Sequence, residues 1–349
     1  MNTDYFKIIS ASQTERRDLF LAAAQRLGTS LDNVEKDFWV CWMLDVMFNG
    51  LGPGGPRLLF KGGTSLSKAF GLTSRFSEDI DITVFRDDLG QAASIEDLES
   101  LSGRKRRLRL ESIKAACQHY ITEVLLPELN QIVGRHLVNA EPAEMLAIDE
   151  EDPDRQSLLF RYPNVSVEPE GYVRRTVKIE AGARSALDPN LAVTVKPYVA
   201  QELESLRLDV PNITTVVPSR TFWDKVIILH GQRRWFERRG VLRHQGQRVS
   251  RHYYDVHQMM NSDLKDEAIG NRELAIDCAR HARMFFNSAD LDLGTAMPGT
   301  LALVPADGML EDLRRDYARM GGMIIGGIPQ FEDVLASISE LEARVNNLD

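Results

Sequence analysis

The spacing of hydrophobic residues near the start of the chain predicts two helices. Ser12 and Glu15 have the spacing of a capping box, in which each side chain bonds the backbone N–H of the other residue, so a helix is predicted through about Gln25. A second helix is predicted over Leu31–Met47, where apolar residues recur every three or four positions.

A segment rich in glycine and proline at residues 52–56 ends this helical part, and short elements are predicted after it. Leu58–Phe60 is predicted as a buried strand, and Lys61–Gly63 as the turn that leaves it. A short helix is predicted over Ser65–Phe70. Asp79–Val84 alternates strictly between polar and apolar residues, which is typical of a strand with two different faces.

The remaining pattern divides the chain into a mixed part and a helical part. The mixed part has a long predicted helix, residues 107–137, and an acidic stretch predicted as a surface loop, Glu141–Asp154. Three strands are predicted after it: Ser157–Tyr162, Val173–Ala183 and Val193–Tyr198. The later part has only predicted helices: Thr221–Gly231, Arg251–Met260, Leu264–Asn287 and two near the C-terminus. We therefore predict an α/β (α+β) fold with a mixed sheet in a first domain, residues 1–215. A helical C-terminal domain, residues 216–349, is predicted to follow it, with the boundary near Pro211–Pro218.

Composition excludes several classes of protein. Hydrophobic residues make up 43% of the chain and charged residues 27%, as in ordinary globular domains. No apolar run approaches the roughly 18 residues that a membrane helix needs, so no membrane partner is predicted. The cysteines, Cys41, Cys117 and Cys278, lie far apart, which argues against a disulfide framework and indicates the reducing cytoplasm.

The net charge of −9 argues against nonspecific coating of nucleic acid, but two runs of the chain are basic. One is Arg104–Arg107, and the other is the arginine-rich stretch Arg233–Arg251. Either run suits the phosphate groups of a partner, and either is as consistent with a solvated surface. Trp235 and Phe236, between arginine pairs, suit stacking on RNA bases or the anchoring of a loop.

Two acidic residues stand on one face of the predicted strand Asp79–Val84. Side chains alternate faces along a strand, so Asp79, Asp81 and Thr83 point to one side and the apolar residues between them to the other. Two adjacent carboxylates on a buried strand repel each other and lose hydration, and a divalent cation removes that cost. Because Mg²⁺ prefers carboxylate and phosphate oxygens, we predict that Asp79 and Asp81 are its ligands.

The glycine turn before this strand supplies the complementary feature. Gly62 and Gly63 let the backbone approach a phosphate closely, and the amides of the helix that follows suit anionic oxygens. Lys61, Thr64 and Ser65 can add side-chain contacts. A glycine turn alone is as often structural, and paired acids alone often lie on a surface. The order of strand, glycine turn, short helix and acidic strand favours a nucleotide site.

These motifs resemble a known family. The segments KGGTSL and RFSEDIDI, which begin at Lys61 and Arg75, are similar to the signature of polymerase-β-type nucleotidyltransferases. More narrowly, the chain resembles the AbiEii/AbiGii group of toxin nucleotidyltransferases, which belong to bacterial toxin–antitoxin and abortive-infection systems. Four further segments match that group: Glu35–Trp39, Lys178–Glu180, Thr221–Lys225 and Arg251–Asp255.

The resemblance implies further site residues, each with an alternative. Glu180 becomes a third active-site carboxylate, and Lys178 its phosphate-facing companion, if their strand neighbours the acidic strand; the alternative is a salt bridge across strands. Lys225 would neutralise triphosphate charge, unless it is an exposed lysine. Asp255 would be an active-site acid, unless it only forms an ion pair within its own helix. The implied nucleotide-binding residues are Lys61, Gly62, Gly63, Thr64, Ser65, Ser77 and Lys178.

The resemblance also implies an activity and partners. A Mg²⁺-dependent enzyme of this group would transfer an NMP from an NTP to an RNA acceptor, and the implied acceptor is the 3′ end of tRNA. A separately encoded antitoxin would be its protein partner. The alternatives are NMP transfer to a protein or a small molecule, and a non-catalytic nucleotide or RNA sensor on the same fold.

Overall fold

A computed structural model describes residues 1–137, 145–166, 174–203, 205–246 and 248–347. The chain forms two compact units, each built from three segments. The sheet unit comprises Met1–Ala69, Phe76–Ala93 and Leu101–Val216, and the helical unit comprises Phe70–Arg75, Ser94–Ser100 and Val217–Asp349. Two short segments from the first third of the chain therefore belong to the helical unit.

The N-terminal helices largely follow the predicted pattern. In chain order they are α1 Asp4–Ile9, α2 Gln13–Leu27, α3 Leu31–Asp45, α4 Gly62–Lys68, α5 Ile95–Ser100, α6 Gly103–Tyr120 and α7 Leu126–His136. The predicted capping box of α2 is confirmed, because the Ser12 hydroxyl accepts from the Glu15 N–H at 3.2 Å and the Glu15 carboxylate accepts from the Ser12 N–H at 2.9 Å. A π-helical turn, Ile121–Leu125, joins α6 to α7, where Pro127 lacks the N–H that a regular helix requires.

Within the described ranges, seven strands form one mixed sheet in the order β3-β4-β5-β2-β1-β7-β6. Their bounds are β1 Leu58–Lys61, β2 Asp79–Val84, β3 Leu146–Ile148, β4 Ser157–Arg161, β5 Thr176–Glu180, β6 Asn190–Val195 and β7 Val210–Val216. Strand β2 is parallel to β5 and antiparallel to β1, and β1 is parallel to β7. The remaining neighbours are antiparallel, and β6 and β7 shift register between Val193 and Val195.

Strand β2 has the predicted bounds and two faces of different character. Its apolar residues, beginning with Ile80, are fully buried on one face. On that same face the ring of Phe160 on β4 packs against Trp39 and Trp42 of α3. Helix α3 therefore covers the apolar face, and the acidic residues of β2 point to the opposite one.

The helical unit holds the later α-helices of the described residues, which are α8 Pro218–Arg239, α9 Ser250–Met260, α10 Leu264–Gly270, α11 Arg272–Phe285, α12 Leu310–Met320 and α13 Phe331–Asn346. Helix α8 extends further than the predicted Thr221–Gly231. Pro218 occupies its first position, where a missing N–H costs nothing, and Gly240 ends it in the left-handed conformation with φ of 68°. None of the helices in the described ranges combines the length and apolarity needed to cross a bilayer.

The prediction of one helix over Leu264–Asn287 is wrong, because α10 and α11 are separate. Asn271 lies between them, and its side-chain oxygen accepts the N–H of Leu274 at 3.0 Å, which caps α11. Gly270 ends α10 just before this cap. One run of apolar periodicity therefore covers both the end of α10 and the start of α11.

The sequence pattern predicts neither β7 nor β3. Pro211 and Asn212 are exposed, and Asn212 has a φ of 61°, so they interrupt the alternation of β7 and resemble a linker. Strand β3 lies in the acidic stretch that is predicted as a loop; residues 141–144 of that stretch, like Val173 of a predicted strand, lie outside the described residues. The last strand predicted near Val193–Tyr198 is β6, which lies a few residues earlier.

Candidate active site

Strand pairing places Asp81 in a row of charged residues. Asp81 on β2 lies opposite Lys61 of β1 and Glu180 of β5, and residues opposite each other in a sheet point to the same face. Asp79 lies opposite Lys178 in the same way. The condition for including Glu180 in the site, that its strand neighbours the acidic strand, is therefore met.

Gly62 lies directly against the Asp81 carboxylate. Its φ of +80° belongs to a region that residues with side chains rarely adopt. A Cβ on Gly62 would stand 2.0 Å from Oδ2 of Asp81, far inside contact distance. Both the conformation and the space therefore require glycine here, and the acid faces the glycine turn as the sequence hypothesis demands.

The hydroxyl groups after the glycine turn contact protein atoms. Thr64 is buried, and its hydroxyl oxygen lies 2.7 Å from the Ser77 hydroxyl and also contacts the carbonyl of Asp79. Ser65 is buried too and donates to the carbonyl of Gly62 at 2.9 Å. These contacts close the turn and join α4 to the start of β2, whereas the Ser77 side chain is only half-buried.

Lys178 and Glu180 are paired with each other. The Nζ atom of Lys178 lies 3.1 Å from Oε1 of Glu180 and 3.1 Å from Oδ2 of Asp149, which follows β3. Partial burial opposes the charged form, but the Glu180 and Asp149 carboxylates raise the pKa of Lys178 above its ordinary value. A salt bridge is thus present, along β5 to Glu180 and across the sheet to Asp149.

The acidic pair on β2 fits a divalent cation by its chemistry. Asp79 and Asp81 share one face and present carboxylate oxygens, which are the donors that Mg²⁺ prefers. Across the described part of the chain, no group of three or more His, Cys, Asp or Glu side chains is arranged to hold a metal. Asp79 and Asp81 would hold such an ion, with phosphate oxygens and water as its other ligands.

A second charged cluster lies within the helical unit. Asp255 on α9 is fully buried and accepts two bonds from the guanidinium of Arg75, at 2.7 Å from Nε and 2.8 Å from Nη2. Lys225 on α8 lies 2.8 Å from the same carboxylate, and its side chain is 7% exposed. The alternative of an exposed Lys225 is therefore excluded, and Asp255 pairs with residues outside its own helix. We call these residues the Arg75–Asp255–Lys225 cluster.

Burial and charge act in opposite directions in this cluster. Burial favours neutral Asp255, but Arg75 and Lys225 hold its pKa well below the ordinary value. Burial lowers the pKa of Lys225, an effect that the Asp255 carboxylate opposes. Burial beside the same cations keeps the pKa of His252 far below its ordinary value, so His252 is neutral.

Three further charged residues lie in segments that match the family, but the sequence analysis gives them no role. Arg75 and Glu78 lie within the segment RFSEDIDI, and Lys36 lies in α3. Lys36 is buried, with Nζ 3.0 Å from Glu78 and 2.9 Å from the carbonyl of Arg174. It therefore joins α3 to the segments that precede β2 and β5. Their place in the matched segments could have singled them out, but a long-range ion pair leaves no periodic pattern that identifies its partner.

The structure distinguishes the two basic runs. In the later run, arginines of α8 bond carboxylates: Arg233 and Arg234 with Glu237, and Arg239 with Asp290. Trp235 is half-buried there with the guanidinium groups of Arg239 and Arg243 against its ring, which favours anchoring. In the earlier run, Arg104, Lys105 and Arg107 are exposed at the start of α6.

Comparison with known proteins places the chain in a family. Residues 45–337 match the family described as the nucleotidyl transferase AbiEii toxin of type IV toxin–antitoxin systems. The chain belongs to the AbiEii family. The AbiEii match spans the acidic pair of β2 and the Arg75–Asp255–Lys225 cluster, and it confirms the resemblance drawn from the motifs. The protein is therefore an enzyme, a nucleotidyltransferase toxin, and its system implies an NTP substrate and an antitoxin partner.

A solved structure supports the fold of this AbiEii chain. MenT4, a nucleotidyltransferase toxin from Mycobacterium tuberculosis H37Rv, matches with a TM-score of 0.52 and 14% identity, over 95% of this chain and 90% of the MenT4 chain. The predicted α/β fold with a mixed sheet is thereby confirmed. Curated protein sequences give no match to the AbiEii chain.

Proposed function

We propose that this toxin transfers an NMP from an NTP to an RNA acceptor, with Mg²⁺ held by Asp79 and Asp81. The observation that carries the proposal is the close packing of the Asp81 carboxylate against Gly62. A cation on the acids would bring a triphosphate beside a turn whose backbone it can approach closely. Lys61, which lies opposite Asp81 on β1, adds a positive charge on the same face.

The proposed reaction needs few covalent steps from the protein. An acceptor hydroxyl attacks the α-phosphorus in line and loses its proton to solvent, the bond to the β-phosphate oxygen breaks, and pyrophosphate leaves. When bound, Mg²⁺ would neutralise charge that develops on the phosphate oxygens. Ser77 and Lys178 are proposed to contact the nucleotide, Glu180 to hold Lys178, and Lys225 with Asp255 to balance the triphosphate charge.

The proposed acceptor is the 3′ end of tRNA, and the proposed place of reaction is the cytoplasm. Support comes from the family resemblance and from the exposed basic residues at the start of α6. A purified toxin incubated with each α-labelled NTP, Mg²⁺ and bulk tRNA should label RNA with one preferred NTP. Label on a protein or on a small molecule would show that the acceptor is not RNA. Nucleotide binding without any transfer would indicate a sensor.

Substitution of the acids tests which residues carry this activity. Asp79→Asn and Asp81→Asn should each lower the transfer rate by at least about a hundredfold, because each removes a charge that the metal requires. Both variants should also relieve growth arrest on expression. Asp87→Asn is the matched control, since Asp87 is an exposed acid just beyond the end of β2. Full activity of the Asp79 variant would refute the assignment.

A further inference from the structure

We propose that Arg75 is a positioning residue that occupies the Asp255 carboxylate and so leaves Lys225 available to an anionic group of the substrate. The inference rests on the proposed function, in which Lys225 balances triphosphate charge. It assigns a task to a residue of the helical unit that touches no reacting atom itself. It also explains why a lysine held by a buried aspartate would retain attraction for an anion.

The geometry gives Arg75 the stronger hold on Asp255. Its Nε atom bonds Oδ1 at 2.7 Å and its Nη2 atom bonds Oδ2 at 2.8 Å, a two-pronged arrangement that fixes the carboxylate plane. Lys225 reaches only Oδ2, at 2.8 Å. A carboxylate already satisfied by a guanidinium holds a second cation less firmly than a carboxylate with no other partner.

The backbone around Arg75 is itself held within the helical unit. Arg75 forms a β-bridge with Ile324, and the N–H of Ile325 donates to the carbonyl of Ser74 at 2.7 Å. The Arg75 side chain is 4% exposed. Arg75 is therefore placed by main-chain bonds as well as by its ion pair, as a positioning role requires.

The charge of the cluster favours an incoming anion. Arg75 and Lys225 each carry a positive charge and Asp255 carries one negative charge, so these three groups have a surplus of one positive charge. An anionic group placed beside Lys225 is therefore attracted by these three groups taken together. Without Arg75, Asp255 and Lys225 would form a closed neutral pair. Arg75 therefore supplies the positive charge that the triphosphate would meet at Lys225.

The groups that face Lys225 set its protonation in a defined direction. They are Asp255, Arg75, Arg251 and His252. Burial lowers the pKa of Lys225, and the Arg75 charge adds to that effect. Loss of that charge should raise the pKa. Activity that requires the ammonium disappears as pH rises through this pKa, so the alkaline limb of the pH profile should move to higher pH.

Two variants of Arg75 separate charge from geometry. Arg75→Gln keeps an amide donor for Asp255 but removes the charge, whereas Arg75→Lys keeps the charge but loses the two-pronged bond. In Arg75→Gln we expect the KM for NTP to rise about tenfold, with a smaller change in kcat, and the Lys225 pKa to rise. In Arg75→Lys the Lys225 pKa should stay near that of the wild type.

Arg220→Gln is the control for the loss of a buried arginine. Arg220 on α8 is 1% exposed and bonds Asp277 at 2.5 Å, so its loss should lower the melting temperature but leave the alkaline limb unmoved. An unchanged KM and Lys225 pKa in Arg75→Gln would overturn the proposal, as would equal shifts in the Gln and Lys variants. An equal shift in Arg220→Gln would also overturn it.

The Lys225 pKa is to be measured by NMR of lysine ¹³Cε, with Lys225→Met assigning the signal. This titration needs no catalytic activity, and inorganic tripolyphosphate serves as the binding probe. If no NTP supports transfer while the Lys225 pKa and tripolyphosphate binding still depend on Arg75, the proposed function is wrong but the positioning role of Arg75 stands. A wild-type Lys225 pKa above its ordinary value of 10.5 would contradict the inference even if no Arg75 variant folds.

Discussion

At the residue scale, Gly62 is a position where the site has no room for a side chain. Gly62→Ala adds a Cβ 2.0 Å from Oδ2 of Asp81 and must displace that carboxylate. A displacement of about 1 Å in a metal-binding acid should lower transferase activity by roughly a hundredfold. The positive φ adds a stability cost of about 1 to 2 kcal/mol. Activity assays and urea unfolding of the variant measure the two effects separately.

Gly71→Ala is the matched control for this experiment. Gly71 also has a positive φ, of 63°, but a Cβ there would meet no atom within 4 Å. The two variants should therefore share the cost of the positive φ, and only Gly62→Ala should lose activity. Equal activity in both would mean that the Asp81 carboxylate can move without harm.

A second residue, Glu35, should make stability depend on pH. Burial raises the pKa of the Glu35 carboxyl to about 7, although the N–H of Val165 bonds it at 2.8 Å. The folded protein then binds this proton more tightly than the unfolded chain does. The free energy of unfolding should therefore fall as pH rises from 4.5 to about 7, by at most about 1.4 kcal/mol per pH unit.

Glu35→Gln tests this dependence, because glutamine keeps an oxygen for the Val165 N–H but does not titrate. Urea unfolding at pH 5 and pH 7.5 should show a smaller difference in the variant than in the wild type. Parallel pH dependence in the two proteins would show that Glu35 is charged at neutral pH in the folded state.

At the scale of elements, the sequence predicts what local periodicity encodes and misses what long-range contacts decide. Strand β2 is predicted with the observed bounds because its alternation is strict. Strand β7 is missed because Pro211 and Asn212 interrupt its pattern. The acids and glycines of the site could be found from their spacing along the chain. The pairing of Arg75 with Asp255 could not, because the two residues lie 180 positions apart.

Helix α6 should contribute to RNA binding more than helix α8. Arg104, Lys105 and Arg107 are exposed at the N-terminal end of α6, where the helix dipole disfavours positive charge. A triple change of these residues to Gln should weaken binding of the acceptor RNA. It should also reduce the slope of log K against log salt by about two to three units, since each lost phosphate contact contributes about 0.7 to 0.9.

A matched triple variant of α8 supplies the control. Arg234, Arg238 and Arg239 bond acceptors of the protein itself, so their change to Gln should lower thermal stability with little effect on the salt slope. The assignment to α6 is wrong if the two triple variants weaken RNA binding equally in filter-binding titrations.

At the scale of the whole molecule, each compact unit is assembled from separated segments. The helical unit includes Phe70–Arg75 in addition to Val217–Asp349. A fragment of residues 217–349 would lack Arg75, which bonds Asp255, and the main-chain bond between Ser74 and Ile325. We expect this fragment to unfold without a sharp transition when circular dichroism is recorded against temperature. A cooperative transition near that of the full chain would show that these contacts are dispensable.

The register shift between β6 and β7 has a consequence for how the molecule behaves in crowded conditions. Strand β6 is last in the sheet, and Leu191 on it is 41% exposed. A straight border strand offers unpaired amides on which a neighbouring molecule can build fibril-like stacks. The irregularity beside Val193 bends that border and makes such stacking costly. A regular β6 border would therefore be more open to pairing with a second copy than the observed one.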